Sequence, residues 1–429
     1  MSGAERPPRL VPLLYFGTAY VSLALACVLA AIWPRAVAGF FYHSWMVAIV
    51  HLITLGWITF SLLGTLYIVG PVAPLTSRRT ARGDYVAYGL AVTGLVGMVA
   101  HFWIEEFGGM VWSAATVTGA VLYVVTRVAR GLRQQGSTDG PALHVAFACG
   151  NFVVAASTGI LLGLDKVFHF LPGFVLANVF AHAHLAALGW ATMMTIGVAY
   201  RLLPRVRPAR LKAGRLLSTS GIVLEAGVAG LFVSLLLQSP WTIFFGIIVA
   251  SALVATASHL IWTLRSPAPG PISAPTIDFA LLHAAGAGVS LLVAIGLGVT
   301  LLVAPLSPVS LRAAAAYGVF GLVGFLAQMV VAIEIRLLPL HDAMLRAVVF
   351  LGWTVGVPAL AAGVFLESAT LVAGGAWALL ASLAIATMDM LSAHSHRDEF
   401  PAARPLTSPE SRRFSRAAAR CSFQTATPC

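Results

Sequence analysis

The sequence predicts an all-α polytopic membrane protein, with about twelve transmembrane helices in three pseudo-repeated four-helix arcs. Three observations carry this expectation. Hydrophobic residues make up 59% of the chain and charged residues only 10%, with a mean hydropathy of +0.90, outside the range of a soluble globular domain. Apolar runs of about 20 residues, long enough to cross a bilayer, recur from one end of the chain to the other. A 21-residue segment also recurs at the spacing of four such runs.

The runs fall at 10–32, 43–70, 84–104, 108–129, 142–165, 173–203, 212–237, 241–264, 277–303, 311–338, 345–366 and 369–392. Period-two alternation is absent, which excludes a β-barrel. The first run has no A-x-A-like cleavage site after it and reads as a retained helix rather than a removed signal peptide.

The formal net charge of +11 suggests nucleic acid until its placement is followed. Alternate loops carry 23 of the 26 Lys and Arg residues; the opposite side holds only Arg35, Lys166 and Arg312. That split fits the positive-inside rule, with both termini cytoplasmic in a bacterial inner membrane. Basicity sets topology here, and nucleic acid is excluded as a partner in favour of the lipid bilayer. The four cysteines form no CxxC or Cys/His spacing, so Cys27 and Cys149 read as small core residues. The stretch from Ser395 to Cys429 is rich in Arg, Ser, Ala and Pro and reads as a disordered cytoplasmic tail.

The repeat is explicit. HLITLGWITFSLLGTLYIVGP (51–71) and HLAALGWATMMTIGVAYRLLP (184–204) share nine identities in 21 ungapped positions, 133 residues apart. A further 135 residues on, 319–339 keeps Gly324, an aromatic at Phe325 and the closing Arg336-Leu337-Leu338-Pro339. Spans two, six and ten are therefore equivalent. Four spans per copy is an even number, so all copies enter from the same side, as parallel repeats. The division is 1–9, a cytoplasmic N-terminus; repeats at 10–135, 141–268 and 276–392; and a basic tail at 393–429.

Candidate chemistry centres on three histidines. His51 lies about nine residues into span two, roughly 13 Å down a helix, and His182 and His184 lie at similar depth in span six. An imidazole in lipid is costly and is a functional hypothesis by default. His51, His182 and His184 are the candidate haem or metal ligands; the alternative is a histidine bonded to a neighbouring helix. Residues i and i+2 point about 160° apart, so His182 and His184 would serve two centres rather than chelate one. Thr54, Thr192 or a backbone carbonyl could orient the second ring nitrogen. Gly56 and Gly189 would admit a helix or a flat macrocycle, beside Trp57 and Trp190. His43 and His101, the latter near Glu105 and Glu106, read as an interfacial belt or as a haem-propionate or copper shell. His144, His259, His283, His394 and His396 read as solvated or interfacial, and His169 as a loop residue.

Three four-helix arcs with histidines in the second helix of an arc resemble the haem-copper oxidase superfamily, including its nitric-oxide reductase branch. They also resemble the smaller NnrS-type haem-copper membrane proteins, whose apolar helices carry an HxH motif. The resemblance implies haem held non-covalently, with or without copper, and electrons drawn from a cytochrome or quinol. It covers residues 10–392 in architecture and only the helices around His51 and His182/His184 in motif. The family holds its haem pair from the tenth helix, where this chain has Tyr317 and Val319. The His-Pro-Glu-Val copper signature is also absent, and span seven has no histidine. An ordinary proton-pumping oxygen reductase is therefore disfavoured. No CxxCH attachment motif is present.

Among buried acids, Glu225 in span seven is the candidate proton relay, against a neutral packing role. Glu334 reads as a local pair with Arg336, and Asp389 as a third acid at depth. The leading function is a haem-binding, haem-copper-like redox protein acting on a small gas or in electron transfer. The alternatives are a metal or haem transporter and a gas-responsive binding protein without turnover. A four-plus-four-plus-four division argues against the usual six-plus-six transporter.

Overall fold

The computed structural model describes residues 10–69, 81–136, 139–206, 214–266, 277–337 and 342–395, and these contain no strand. Expectations for residues 1–9, for the tail beyond Ser395 and for His396 lie outside the described residues, as does the side chain of His394. Twelve helices are long and apolar enough to cross a membrane. They are α1 (Leu10–Ile32), α2 (Ser44–Val69), α3 (Arg82–Trp103), α4 (Phe107–Gln134), α5 (Gly140–Phe168) and α6 (Val175–Leu202). They continue as α7 (Gly214–Leu236), α8 (Trp241–Leu264), α9 (Phe279–Val303), α10 (Pro308–Leu337), α11 (Ala343–Phe365) and α12 (Ala369–Met390). Exposed residues such as Val21, Trp112, Ile222 and Leu292 clothe the outside in apolar surface, as a face against lipid requires.

Burial separates the helices into two groups. In α2, α6 and α10, 50–67% of the most apolar window is buried, against 22–44% elsewhere. These three stand at the centre, where they touch one another pairwise. Around them, α1 packs along α2, α5 along α6 and α9 along α10; contacts α4–α5, α8–α9 and α12–α1 close the ring. Lipid gives no hydrophobic drive for helices to associate, so close backbone packing must supply it. The hairpins α3–α4, α7–α8 and α11–α12 have it at Gly94, Gly227 and Gly356. A methyl added there would come within 2.5, 2.9 and 2.9 Å of the facing helix. Each hairpin turns at a left-handed residue just past the first helix: Glu105 (φ 59°), Gln238 (φ 50°) and Glu367 (φ 55°).

One feature of the central helices has no counterpart in the sequence reading. Each contains a π-helical stretch: Leu52–Thr59 in α2, Leu185–Thr192 in α6 and Val319–Ala327 in α10. A π turn holds one extra residue, which rotates everything before it relative to everything after it. The Thr59 and Thr192 hydroxyls donate to the carbonyls of Thr54 and Ala187, five residues back, at 2.9 and 2.8 Å.

Two hydrogen bonds tie the three stretches together. Trp190 Nε1 of α6 donates to Thr59 Oγ1 of α2 at 3.1 Å, and Trp57 Nε1 of α2 donates to the Ala327 carbonyl of α10 at 3.4 Å. The register would bring the third link from α10 to α6, but Phe325 there has no N–H to give. The repeat glycines face a small or polar residue of the neighbouring outer helix. A methyl on Gly56, Gly189 or Gly324 would meet Ser22, Asn151 or Ser290 at 2.4–2.8 Å. These glycines therefore serve helix packing.

Buried polar groups correct part of the sequence reading. His144, His259 and His283 are buried rather than solvated. His144 Nδ1 donates to the Gly140 carbonyl (2.8 Å), and the Tyr200 hydroxyl meets His259 Nδ1 (2.8 Å). A solvated or interfacial place is the expectation for residues that fall towards the cytoplasmic side; small neighbours, such as Gly221 beside His144, let the bundle close over them. Asp139 and Asp278 cap the starts of α5 and α9 and also bind Arg201 and Arg336 at the far ends of α6 and α10. In the first arc, Asp84 does comparable work, held by Arg127, Tyr67 and the Ala81 amide.

Candidate functional site

A cavity of about 440 Å³ lies in the half of the bundle where α2, α6 and α10 begin. Cofactor sites typically fall between about 300 and 1,000 Å³. Its wall is mostly aliphatic and aromatic, and all three histidines singled out in the sequence line it. The sequence placed His182 and His184 on opposite faces of one helix, each serving its own centre. Their rings do diverge, towards α5 and towards α10, but both border this single continuous space.

Each ring is fixed by a backbone carbonyl. His51 Nδ1 meets the Val47 carbonyl at 2.8 Å, His184 Nδ1 that of Phe180 at 2.7 Å, and His182 Nδ1 that of Ala155 on α5 at 3.0 Å. A carbonyl only accepts, so in every case Nδ1 carries the hydrogen and Nε2 keeps its lone pair. This is the orienting contact expected behind a metal-binding imidazole. The hydroxyls of Thr54 and Thr192 do not supply it. Each is turned back onto its own helix, because within a helix a threonine hydroxyl finds a preceding carbonyl first.

The fate of Nε2 divides the three. At His184 it accepts the Tyr317 hydroxyl at 3.1 Å, and the two rings stack with centroids 5.7 Å apart. At His51 and His182, Nε2 has no hydrogen-bond partner among the described residues. Both rings border the same cavity. His51 also stacks on Phe102 at 5.2 Å.

The register explains the pairing. Position 182 in α6 aligns with 49 in α2 and 317 in α10, and position 184 aligns with 51 and 319. Each central helix therefore meets the next through one residue of each kind. The α2–α6 seam has His51 with His182, and the α6–α10 seam has His184 with Tyr317. The α10–α2 seam is left with Val319 and Ile49, both apolar and both lining the cavity. His182 can lean on α5 only because Gly159 is there: a methyl on it would lie 2.9 Å from the His182 ring.

At the mouth of the cavity, Lys166 Nζ lies 4.6 Å from the centre of the Tyr42 ring, and both residues line the opening. His43 caps α2 with Nδ1, which accepts the Met46 amide at 3.3 Å, while Nε2 donates to the Ala36 carbonyl at 3.1 Å. Both its nitrogens are engaged structurally. His101 donates from Nδ1 to the Gly97 carbonyl at 2.6 Å, and its Nε2 lies 3.7 Å from Glu106. Glu225 lies away from the cavity on α7, where its carboxylate accepts Asn151 Nδ2 at 2.7 Å. Among the described residues, no three His, Cys, Asp or Glu side chains are grouped to hold one metal ion.

Sequence reasoning missed Tyr317, Gly159 and Lys166. The repeat alignment already placed Tyr317 at the position equivalent to His182, and that was the signal available for it. Compared with known proteins, the chain matches neither a protein-family profile nor a curated relative.

Proposed function

We propose that this chain is a haem-binding redox protein of a bacterial inner membrane, with both termini cytoplasmic. On this reading it resembles a divergent oxidase or nitric-oxide reductase catalytic subunit, its three four-helix arcs built as repeats. The observation that carries the reading is the α2–α6 seam. Two imidazoles from adjacent central helices share one apolar cavity, each with Nδ1 tied to a carbonyl and Nε2 left open.

The residues present fit haem. His51 and His182 would hold the iron, and the aliphatic wall with Phe102 and Trp190 would enclose the macrocycle. Lys166 at the mouth would face a propionate. They supply no three-donor set for copper among the described residues, so the proposal rests on haem alone. Bound haem would supply one-electron chemistry. The protein's part is to fix the imidazoles, exclude water and keep Tyr317 and His184 hydrogen-bonded beside the site. A cytochrome or quinol is the donor this chemistry calls for.

The pairing of central helices in three seams disfavours a carrier built of two rocking halves. The test is the absorption spectrum of the detergent-purified chain expressed with ample haem, with a pyridine haemochrome assay. A Soret band with bis-imidazole, low-spin character supports electron transfer. A high-spin spectrum that shifts on adding nitric oxide or carbon monoxide supports a gas site. A colourless preparation rejects the proposal.

A further inference from the structure

Glu334 stands outside every pairing described above. It lies in the last third of α10, 2% exposed, and neither carboxylate oxygen has a hydrogen-bond partner among the described residues. The sequence suggests a pair with Arg336, but Arg336 points away and binds Asp278 of α9. Residues two apart on a helix diverge, and this pair follows that rule. Tyr20 of α1 and Ser61 of α2 face the carboxylate instead. The Ser61 hydroxyl is itself buried and unpartnered.

Unmet polar atoms from α2 and α10 thus meet beside α1, just beyond the cavity. Thr59, two residues before Ser61, lines the cavity. So does Leu326, eight residues before Glu334 and about 12 Å along the helix.

An ionised carboxylate here would need a counter-charge, and among the described residues no cation is paired with it. Asp278 and Arg336 neutralise each other between α9 and α10, as do Asp139 and Arg201 between α5 and α6. His283 of α9 lies against Gln328, earlier on α10. Tyr20 is the titratable group of α1 that faces the acid. A bare charge in this setting is strongly disfavoured, so either a proton or a metal cation must balance it. The described side chains that face one another here supply four oxygens: two of Glu334, one of Ser61 and one of Tyr20. Hard cations take about six or more. A proton needs one.

We propose that Glu334 is a proton-exchange site of the bundle interior. Its carboxyl holds one proton at rest and trades it with the cavity by way of the Ser61 and Tyr20 hydroxyls. In each transfer the carboxyl O–H bond breaks and its proton binds the Ser61 oxygen. The Ser61 proton passes in the same step to a water molecule entering from the cavity, which becomes hydronium and leaves a transient carboxylate; the reverse sequence reprotonates it. No electron is consumed, so the site stands whether or not the cavity holds haem.

Infrared spectroscopy of the purified full chain in H₂O and D₂O tests this, with Glu334→Gln, Glu334→Asp and Ser61→Ala beside the wild type. The expected result is a carboxylic-acid C=O band at neutral pH that moves to lower frequency in D₂O and is lost in Glu334→Gln. It should be shifted but present in Glu334→Asp, and should exchange more slowly in Ser61→Ala. A wild-type spectrum indistinguishable from that of Glu334→Gln overturns the proposal, as does a band that ignores D₂O. Loss of the band on replacing choline chloride with sodium chloride would instead identify a metal-cation site. All these readings can be made on a colourless preparation, so failure of the haem reading leaves them intact.

Discussion

At the scale of single residues, the three histidines are not interchangeable. His51 and His182 keep Nε2 open, while His184 spends it on Tyr317. Replacing His51 or His182 with Ala is therefore expected to abolish or grossly alter the Soret band of the haem-loaded protein. His184→Ala and Tyr317→Phe should shift the band and leave haem content near wild type. Equal loss in all three histidine variants would show that the seams are misread. Gly159 offers a second check from outside the ligand set. Gly159→Leu fills the space against which the His182 ring rests, 2.9 Å from a would-be methyl. Haem retention should fall towards that of His182→Ala while the protein still accumulates in the membrane. Sequence alone could nominate the histidines, because imidazole in an apolar run is conspicuous. It could not rank them, because hydrogen bonds to Val47, Phe180, Ala155 and Tyr317 depend on the fold.

At the scale of elements, the π stretches set where the histidines point. His182 and His184 lie immediately before Leu185–Thr192, and His51 immediately before Leu52–Thr59. Inserting one alanine after Ala187 would exceed the single extra residue that the π turn absorbs and would turn the preceding half of α6 by about 100°. Expected is loss of haem binding with the far half of α6, including the Arg201–Asp139 pair, still seated; proteolysis and thermal melting would check the latter. The hairpins answer to a different physics. Gly227→Leu must force α7 and α8 apart where a methyl already lies within 2.9 Å. Overpacking of this kind typically costs about 1–3 kcal/mol, read as a lower melting temperature in detergent. The helices themselves were plain in the sequence, since length and hydropathy decide them. Their π interiors were not, because one extra residue per turn leaves no mark on composition.

At the scale of the molecule, the twelve spans follow from apolar length alone, whereas the side each loop faces rests on the placement of Arg and Lys. Reporter fusions after residue 266 and within 169–172 should report opposite sides of the membrane, the former cytoplasmic. The same side for both would overturn the assigned topology. The burial of His144, His259 and His283 was illegible in sequence: a place towards the cytoplasmic side is a poor guide to exposure in a bundle that closes with small residues.

The middle arc is the one that resembles both others. With the first it shares the histidine, the Leu-Gly-Trp run and the threonine that closes the π turn. With the third it shares Arg-Leu-Leu-Pro, the capping aspartate that clasps the arginine, and a buried histidine five residues after that aspartate. Neither outer arc carries both sets. The position of His182 is histidine in the middle arc alone, against Ile49 and Tyr317 in the others. Each seam therefore presents a different couple to the cavity: His51 with His182, His184 with Tyr317, and Val319 with Ile49. A ligand held there would meet a basic, a hydrogen-bonded and an apolar side, so it could seat in one orientation only.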